Sequence, residues 1–111
     1  MTLDGLVMYV SATAERGVVS SETRIHFIQK GSRVLGRYTG GAVDRGYLIG
    51  HLSGPELLFR YIQREKSGEV HAGRSTCDVM LRGDGRLRIV EHFQWSTREG
   101  SGINVFDELV V

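Results

Sequence analysis

The sequence predicts an all-β fold: an eight-stranded antiparallel up-and-down meander that closes, or nearly closes, into a small barrel. Glycine-centred turn signals recur about every ten residues, as expected of short strands joined by hairpins. The segments between them are rich in β-branched and aromatic residues, and none has the i, i+3, i+4, i+7 apolar pattern of a helix. Closure would remove the exposed edges of a flat meander, so we prefer a barrel to an open, strongly curved sheet.

The turns divide the chain into eight elements in order. The turn signals are Glu15-Arg16-Gly17, Lys30-Gly31-Ser32, Gly40-Gly41, Ser53-Gly54-Pro55, Lys66-Ser67-Gly68, Gly83-Asp84-Gly85 and Glu99-Gly100-Ser101-Gly102. The predicted strands are Gly5–Thr13, Ser21–Gln29, Arg33–Thr39, Val43–Leu52, Glu56–Gln63, Glu69–Leu81, Arg86–Ser96 and Ile103–Val110. The single proline, Pro55, lies in a turn, where its missing N–H disrupts no strand pairing.

Alternation predicts which residues face inward, because successive side chains of a strand point to opposite sides. The seventh strand is the clearest case, since one parity carries four large apolar residues and a glutamate: Leu87, Ile89, Glu91, Phe93 and Trp95. We therefore expect Glu91 to be buried in the middle of an apolar stripe.

The other strands are less uniform. In the second, Ile25 and Phe27 face inward and His26 outward, and in the third Val34 and Tyr38 share a face. The fifth has Leu57, Phe59 and Tyr61 on one parity and Leu58, Arg60 and Ile62 on the other, so alternation does not choose, and the eighth strand is equally open. The sixth changes its apolar parity along its length, which predicts a β-bulge near Gly73.

Composition narrows the class of protein. A chain of 111 residues predicts one domain, residues 1–111. Its net charge of +1 gives no broad field to attract nucleic acid or an acidic membrane, and we expect neither as a partner. A single cysteine, Cys77, and the lack of a predicted signal peptide or membrane-spanning run favour a cytoplasmic protein.

Short motifs along most of the chain resemble a family of small bacterial proteins commonly labelled "N-acetylglutamate synthase". The motifs that carry the resemblance are Ser21-Glu22-Thr23 with Phe27 and Gln29, Tyr38-Thr39-Gly40-Gly41, Gly46-Tyr47-Leu48-Ile49-Gly50, Phe59-Arg60-Tyr61-Ile62-Gln63, Gly68-Glu69, Gly73-Arg74-Ser75-Thr76, Gly85-Arg86-Leu87-Arg88, Glu91-His92-Phe93-Gln94-Trp95 and Asp107-Glu108. The resemblance implies an all-β domain of the calycin type, the broad class of lipocalins and avidins, and it carries no activity across.

The label conflicts with the chemistry of acetyl transfer. Such enzymes usually bind the pyrophosphate of coenzyme A at the N-terminus of a helix that follows a strand. The nearest string, Arg33-Val34-Leu35-Gly36-Arg37-Tyr38, lies within a predicted strand and leads into no helix. The sequence therefore argues against acetyltransferase activity, and no cofactor is predicted.

Candidate site residues follow from the predicted lumen. We expect Tyr38, Arg60, Tyr61, Ser75, Glu91 and Trp95 to bind a ligand there. Glu91 is also the candidate catalytic residue, because a buried carboxyl has a raised pKa and can exchange a proton. The favoured alternative is structural, an ion pair with an inward Arg60 or Arg74.

Other constellations carry less chemistry. His26, His51, His71 and His92 lie on four strands without converging, so no metal site is predicted. Cys77 is expected to be a small core residue. An eight-stranded barrel is also just wide enough to be filled by its own aromatic side chains.

Three functions remain open at this level. The first is a barrel that binds a small molecule in its lumen, and the second is a small cofactor-free cyclase or isomerase that uses the same lumen. The third is an interaction module, a possible homodimer that buries the apolar C-terminal segment Ile103–Val111.

Overall fold

The computed structural model describes residues 1–110, and its eight strands form one closed antiparallel barrel in which each strand pairs with its sequence neighbours. The strands are β1 Val7–Ala12, β2 Arg24–Lys30, β3 Arg33–Gly40, β4 Val43–Ser53, β5 Glu56–Glu65, β6 Val70–Leu81, β7 Leu87–Trp95 and β8 Ser101–Glu108. The all-β prediction is confirmed, and every predicted strand end falls within three residues of the observed one.

Pairing of β1 with β8 closes the ring, and the register places Met8 opposite Glu108 and Val10 opposite Phe106. The upper end of the barrel carries the β1–β2, β3–β4, β5–β6 and β7–β8 connections, and the lower end carries the other three. Leu3 lies fully buried at the lower end, where its backbone N–H donates to Gln29 Oε1 at 2.8 Å. Residues 1–110 include no helix long and apolar enough to cross a bilayer.

The inner faces follow the predicted alternation where the sequence was decisive. Ile25, Phe27, Val34 and Tyr38 are buried, and Glu91 is only 5% exposed. In β5 and β8, whose inner faces the sequence left open, the inward-facing residues include Leu57, Phe59, Tyr61, Asn104 and Phe106. The lumen is therefore lined mainly by apolar and aromatic side chains from all eight strands.

The prediction of a β-bulge near Gly73 is wrong. β6 pairs with β5 and with β7 in an unbroken register through Gly73. Val70 and Ala72 lie on the outward parity of β6, so the apolar parity changes along the strand while the backbone continues unchanged. Register shifts occur instead at Val10/Ala12, Tyr38/Gly40 and Val43/Arg45.

Closure of the barrel removes the free strand edge that the interaction module would use, and the homodimer itself stays a prediction. The proposed interaction module was to use an exposed strand at the C-terminal end, but β8 pairs with both β7 and β1. Phe106 of that segment is buried in the lumen, and Val111 lies outside the described residues. β8 thus has no free edge for a partner strand.

Candidate functional site

The candidate site is a small cavity in the upper half of the lumen, beneath the β1–β2 loop. Its volume is about 30 Å³, room for about one or two water molecules. Most of its walls are apolar or aromatic. The lining residues are Gly17, Val18, Val19, Ile25, Tyr38, Leu48, Phe59, Tyr61, Gln63, Glu91, Phe93, Trp95, Asn104 and Phe106.

Glu91 is the centre of a buried hydrogen-bonded cluster in this cavity. Its register partners are Cys77 on β6 and Asn104 on β8. Ser75 Oγ lies 2.6 Å from Glu91 Oε2, and Asn104 Nδ2 donates to Glu91 Oε1 at 2.9 Å. Neither predicted arginine pairs with Glu91, because Arg60 and Arg74 lie on the outer face. The carboxyl group is therefore satisfied by neutral partners.

This environment favours the protonated form of Glu91. Burial raises the pKa of the carboxyl group, and the hydrogen bonds from Ser75 and Asn104 oppose that shift only in part. A neutral carboxylic acid in an apolar lumen can both donate and accept a hydrogen bond. Glu91 can thus recognise a polar group or exchange a proton with it.

A second line of polar side chains runs from the lumen to the upper rim. Tyr38 Oη donates to Gln63 Oε1 at 2.9 Å, and Gln63 Nε2 donates to Glu65 Oε2 at 3.0 Å. Arg98 completes the line through an ion pair with Glu65 at 3.0 Å, and its guanidinium lies 4.8 Å from the centre of the Trp95 ring. The sequence predicted an inward ion pair between Glu91 and an arginine. The structure instead has an ion pair between Glu65 and Arg98 at the rim.

Tyr61 carries the one buried side-chain polar atom of the described residues that has no hydrogen-bond partner, its hydroxyl oxygen. The ring packs edge-on against Trp95, with 5.3 Å between ring centroids. Burial, followed by the nearby Glu91 carboxyl, raises the pKa of the phenol above its ordinary value. The hydroxyl is thus a neutral group with an unused hydrogen bond, and such groups are costly to bury.

Two glycines make room for the tyrosine rings. Gly46 pairs with Tyr38 across β3 and β4, and Gly73 pairs with Tyr61 across β5 and β6. A Cβ atom at either glycine would overlap the partner ring. Each ring can therefore lie across the neighbouring strand, a close approach that only glycine permits.

The β1–β2 loop covers the cavity and is tied to the site by two hydrogen bonds. The Ala14 N–H donates to Asn104 Oδ1 at 2.9 Å, and Trp95 Nε1 donates to the Arg16 carbonyl at 3.2 Å. Val18 and Val19 form part of the cavity wall. Asn104 therefore contacts both Glu91 and the loop above it.

The predicted site residues divide into three groups by position. Tyr38, Tyr61, Glu91 and Trp95 line the cavity, and Ser75 lies behind Glu91. The placement of Arg60 in the lumen is wrong, because Arg60 is exposed on the outer face of β5. Arg60 and Tyr61 are consecutive in one strand, so they point to opposite sides.

Two polar residues of the lumen were missed. Gln63 lies two residues after Tyr61 and therefore on the same face of β5. Its position in the lumen follows from the sequence only once the inner face of β5 is known. Asn104 lies on β8, whose inner parity the sequence left open. Nothing in the sequence indicated that the β1–β2 loop would fold over the barrel.

A cluster of possible metal ligands lies at the upper rim. One ligand atom each of Glu65, Glu69 and His71 falls within 4.8 Å of the others. These groups already have partners, since His71 contacts Glu69 at 3.1 Å and Thr97 at 2.8 Å, and Glu65 pairs with Arg98. We assign no metal to the cluster.

The closed eight-stranded meander with a lumen of aromatic and buried polar side chains defines a barrel of the calycin class. Residues 1–109 match the family described as "Avidin-like protein", and the chain belongs to that family. No curated protein and no solved structure matches the chain.

Proposed function

We propose that this protein binds a small molecule in the upper lumen, against Tyr38, Tyr61, Glu91 and Trp95. The observation that carries the proposal is the buried carboxyl of Glu91 in the middle of an apolar barrel. A lumen that served only as a core would be more stable with a hydrocarbon at this position, because a buried polar group costs free energy even when hydrogen-bonded. Membership of the avidin-like family supports the proposal, since eight-stranded barrels of this kind can hold one small ligand.

The lining chemistry suggests the kind of ligand. None of the described residues that line the cavity is lysine or arginine. A charged group would therefore be buried there without a counter-ion, which is strongly unfavourable. The Tyr61 hydroxyl and the Glu91 carboxyl offer hydrogen bonds beside aromatic walls. We expect an uncharged ligand with an apolar body and at least one hydrogen-bonding group.

Ligand entry requires the β1–β2 loop to move. A drug-sized ligand needs a pocket of about 300 Å³ or more, whereas the cavity holds about 30 Å³. Displacing Val18 and Val19 would open the lumen at its upper end. The two hydrogen bonds from the loop to Asn104 and Trp95 would break in this step and re-form over the ligand.

Fluorescence of the only tryptophan, Trp95, provides the test. The first probe is biotin methyl ester, an uncharged derivative of the ligand that the streptavidin barrel binds, followed by uncharged amides, ureas and ketones with apolar bodies. We expect saturable quenching with at least one probe, and weaker binding in Tyr61→Phe by about threefold to tenfold, because one hydrogen bond contributes about 0.5–1.5 kcal/mol.

Tyr47→Phe is the matched control, since Tyr47 is exposed on the outer face. Equal effects of Tyr61→Phe and Tyr47→Phe would argue against binding in the lumen. A linear, non-saturable response to every probe would contradict the proposal and would mean that the lumen is a core filled by its own side chains.

One observation favours a second candidate, an enzyme that transfers a proton. The raised pKa of Glu91 suits a general acid or base, and the Tyr61 hydroxyl beside it could stabilise negative charge that develops on a substrate. Arg60 takes no part in this scheme, because it faces away from the lumen. Turnover that Glu91→Gln abolishes, with ligand binding retained, would distinguish the enzyme from a binding protein.

A further inference from the structure

The outer face of β2 to β5 is unusually apolar for a wall that faces solvent. Six large side chains on it are between 42% and 56% exposed, and we call this set the outer patch: Ile28, Leu35, Tyr47, Ile49, Leu58 and Ile62. Isolated exposed apolar residues are ordinary, but contiguous ones mark interaction surfaces.

Strand register makes the outer patch contiguous. Ile28 pairs with Leu35 and Leu35 pairs with Ile49, so these three lie side by side across β2, β3 and β4. Tyr47 pairs with Ile62 in the adjacent row. These five residues help to line a groove of about 600 Å³ on the outside of the barrel.

The same face holds much of the positive charge of the protein. On the outward side of β2 to β5, seven basic residues accompany only two acidic ones, although the chain as a whole has 14 basic and 13 acidic residues. The basic residues are Arg24, Lys30, Arg33, Arg37, Arg45, Arg60 and Arg64, and the acidic ones are Asp44 and Glu56. Asp44 is already paired with Arg64 at 2.6 Å.

Three arginines at or beside the groove lack an acidic partner. No carboxylate of residues 1–110 forms an ion pair with Arg37, Arg60 or Arg74. Arg60 lies directly opposite Arg74 on the neighbouring strand, and like charges in that position are destabilising. The Arg74 guanidinium donates a hydrogen bond to the neutral Gln94 Oε1 at 3.3 Å.

We propose that the outer patch binds an acidic, amphipathic segment of a partner protein. Apolar side chains of the segment would fill the groove, and its carboxylates would pair with Arg37 and Arg60.

Other occupants suit the face less well. A second copy that used the same face would bring two strongly basic surfaces together, and like-charge contacts oppose association. A flat bilayer leaves a groove unfilled, and the phosphate backbone of nucleic acid offers nothing to cover six apolar side chains.

The test uses a fluorescein-labelled synthetic helix of about 20 residues, with leucine at every third or fourth position and glutamate beside it. A matched peptide has glutamine in place of glutamate. Anisotropy should show tighter binding of the glutamate peptide, and its affinity should fall from about 0.1 M to about 1 M NaCl, as the screening length shrinks from about 10 Å to about 3 Å.

Two pairs of variants separate local contacts from general effects. Arg60→Glu and Arg86→Glu change the net charge equally, but Arg86 lies at the lower end. Ile49→Ser and Leu81→Ser both remove exposed apolar surface, and Leu81 is 70% exposed outside the patch. We expect about tenfold weaker binding in Arg60→Glu and in Ile49→Ser, and little change in the other two.

Several results would overturn the proposal. An equal loss of peptide affinity in Arg60→Glu and Arg86→Glu would mean that binding depends only on net charge. Equal binding of the two peptides would mean that acidic side chains are not required. Tighter binding to phosphatidylserine vesicles or to oligothymidylate than to the glutamate peptide would assign the face to a membrane or to nucleic acid. A stable dimer of wild type that Ile49→Ser dissociates would assign it to a second copy. These variants leave the lumen unchanged, so this test is independent of the proposed ligand.

Discussion

Replacing Glu91 with glutamine should change how stability depends on pH while it preserves the packing of the lumen. Glutamine has nearly the same shape, can accept the hydrogen bond from Asn104 Nδ2, and can donate to Ser75 Oγ. Only the ionisable proton is lost. The comparison therefore isolates the cost of charging a buried carboxyl.

The sign follows from the raised pKa of Glu91, which burial causes. At a pH between the unfolded-state pKa, about 4.3, and the higher folded-state pKa, the folded protein retains a proton that the unfolded chain releases. The stabilising contribution of Glu91 is thus fully present below the unfolded-state pKa and is lost as pH rises. The loss is at most about 1.4 kcal/mol for each pH unit within that window.

Urea unfolding followed by Trp95 fluorescence, from about pH 4 to about pH 8, measures the difference between the two proteins. We expect similar stability at the acid end and a growing advantage of Glu91→Gln toward the alkaline end. Glu56→Gln, at an exposed carboxyl, should show no such trend. A difference that stays constant with pH, or that favours wild type at high pH, would refute the assignment of Glu91 as a buried neutral acid.

Three further outcomes are expected. Asn104→Ala removes the acceptor of the Ala14 N–H, so hydrogen exchange at Ala14 should accelerate and the free energy of unfolding should fall by about 2 kcal/mol. Gly46→Ala forces a methyl group into the Tyr38 ring and should cost about 1–3 kcal/mol in urea unfolding. Cys77 should resist maleimide in the native state at about pH 8 and react in urea, because burial raises the pKa of its thiol.

Each of these outcomes has a control or a contrary result. Unchanged exchange at Ala14 would mean that Asn104 does not hold the loop. Gly83→Ala, at a position with no atom within 4 Å of the new methyl group, should be nearly neutral, and an equal cost at Gly46 and Gly83 would count against the ring contact. Rapid labelling of native Cys77 would show that the lumen beside Glu91 is accessible.

The sequence predicted the barrel because strand alternation and turn glycines are local signals. It identified Glu91 for the same reason, since four large apolar residues share its parity on β7. It failed on β5, where both parities are apolar: one parity fills the lumen, and the other supplies Leu58 and Ile62 to the outer patch. An apolar surface for a partner therefore obscures the pattern that would reveal the core.

The partners of Glu91 could not be predicted from local pattern. Ser75 and Asn104 are 16 and 13 residues from Glu91 in the chain, and only the register of three strands brings them together. Alternation gives the face of a strand but not its offset against a neighbour. The β1–β2 loop folds over the lumen through tertiary hydrogen bonds with Asn104 and Trp95, which local pattern does not predict either.

Native mass spectrometry of the protein purified gently from its own host, and again after incubation with a small-molecule extract of that host, tests the central claim most directly. We predict an added mass on the 12.4 kDa chain that disappears on denaturation. The added mass should be reduced in Glu91→Leu, which removes the carboxyl group that lines the cavity. An unliganded 12.4 kDa chain in both preparations, or an added mass that Glu91→Leu retains in full, would contradict binding in the lumen.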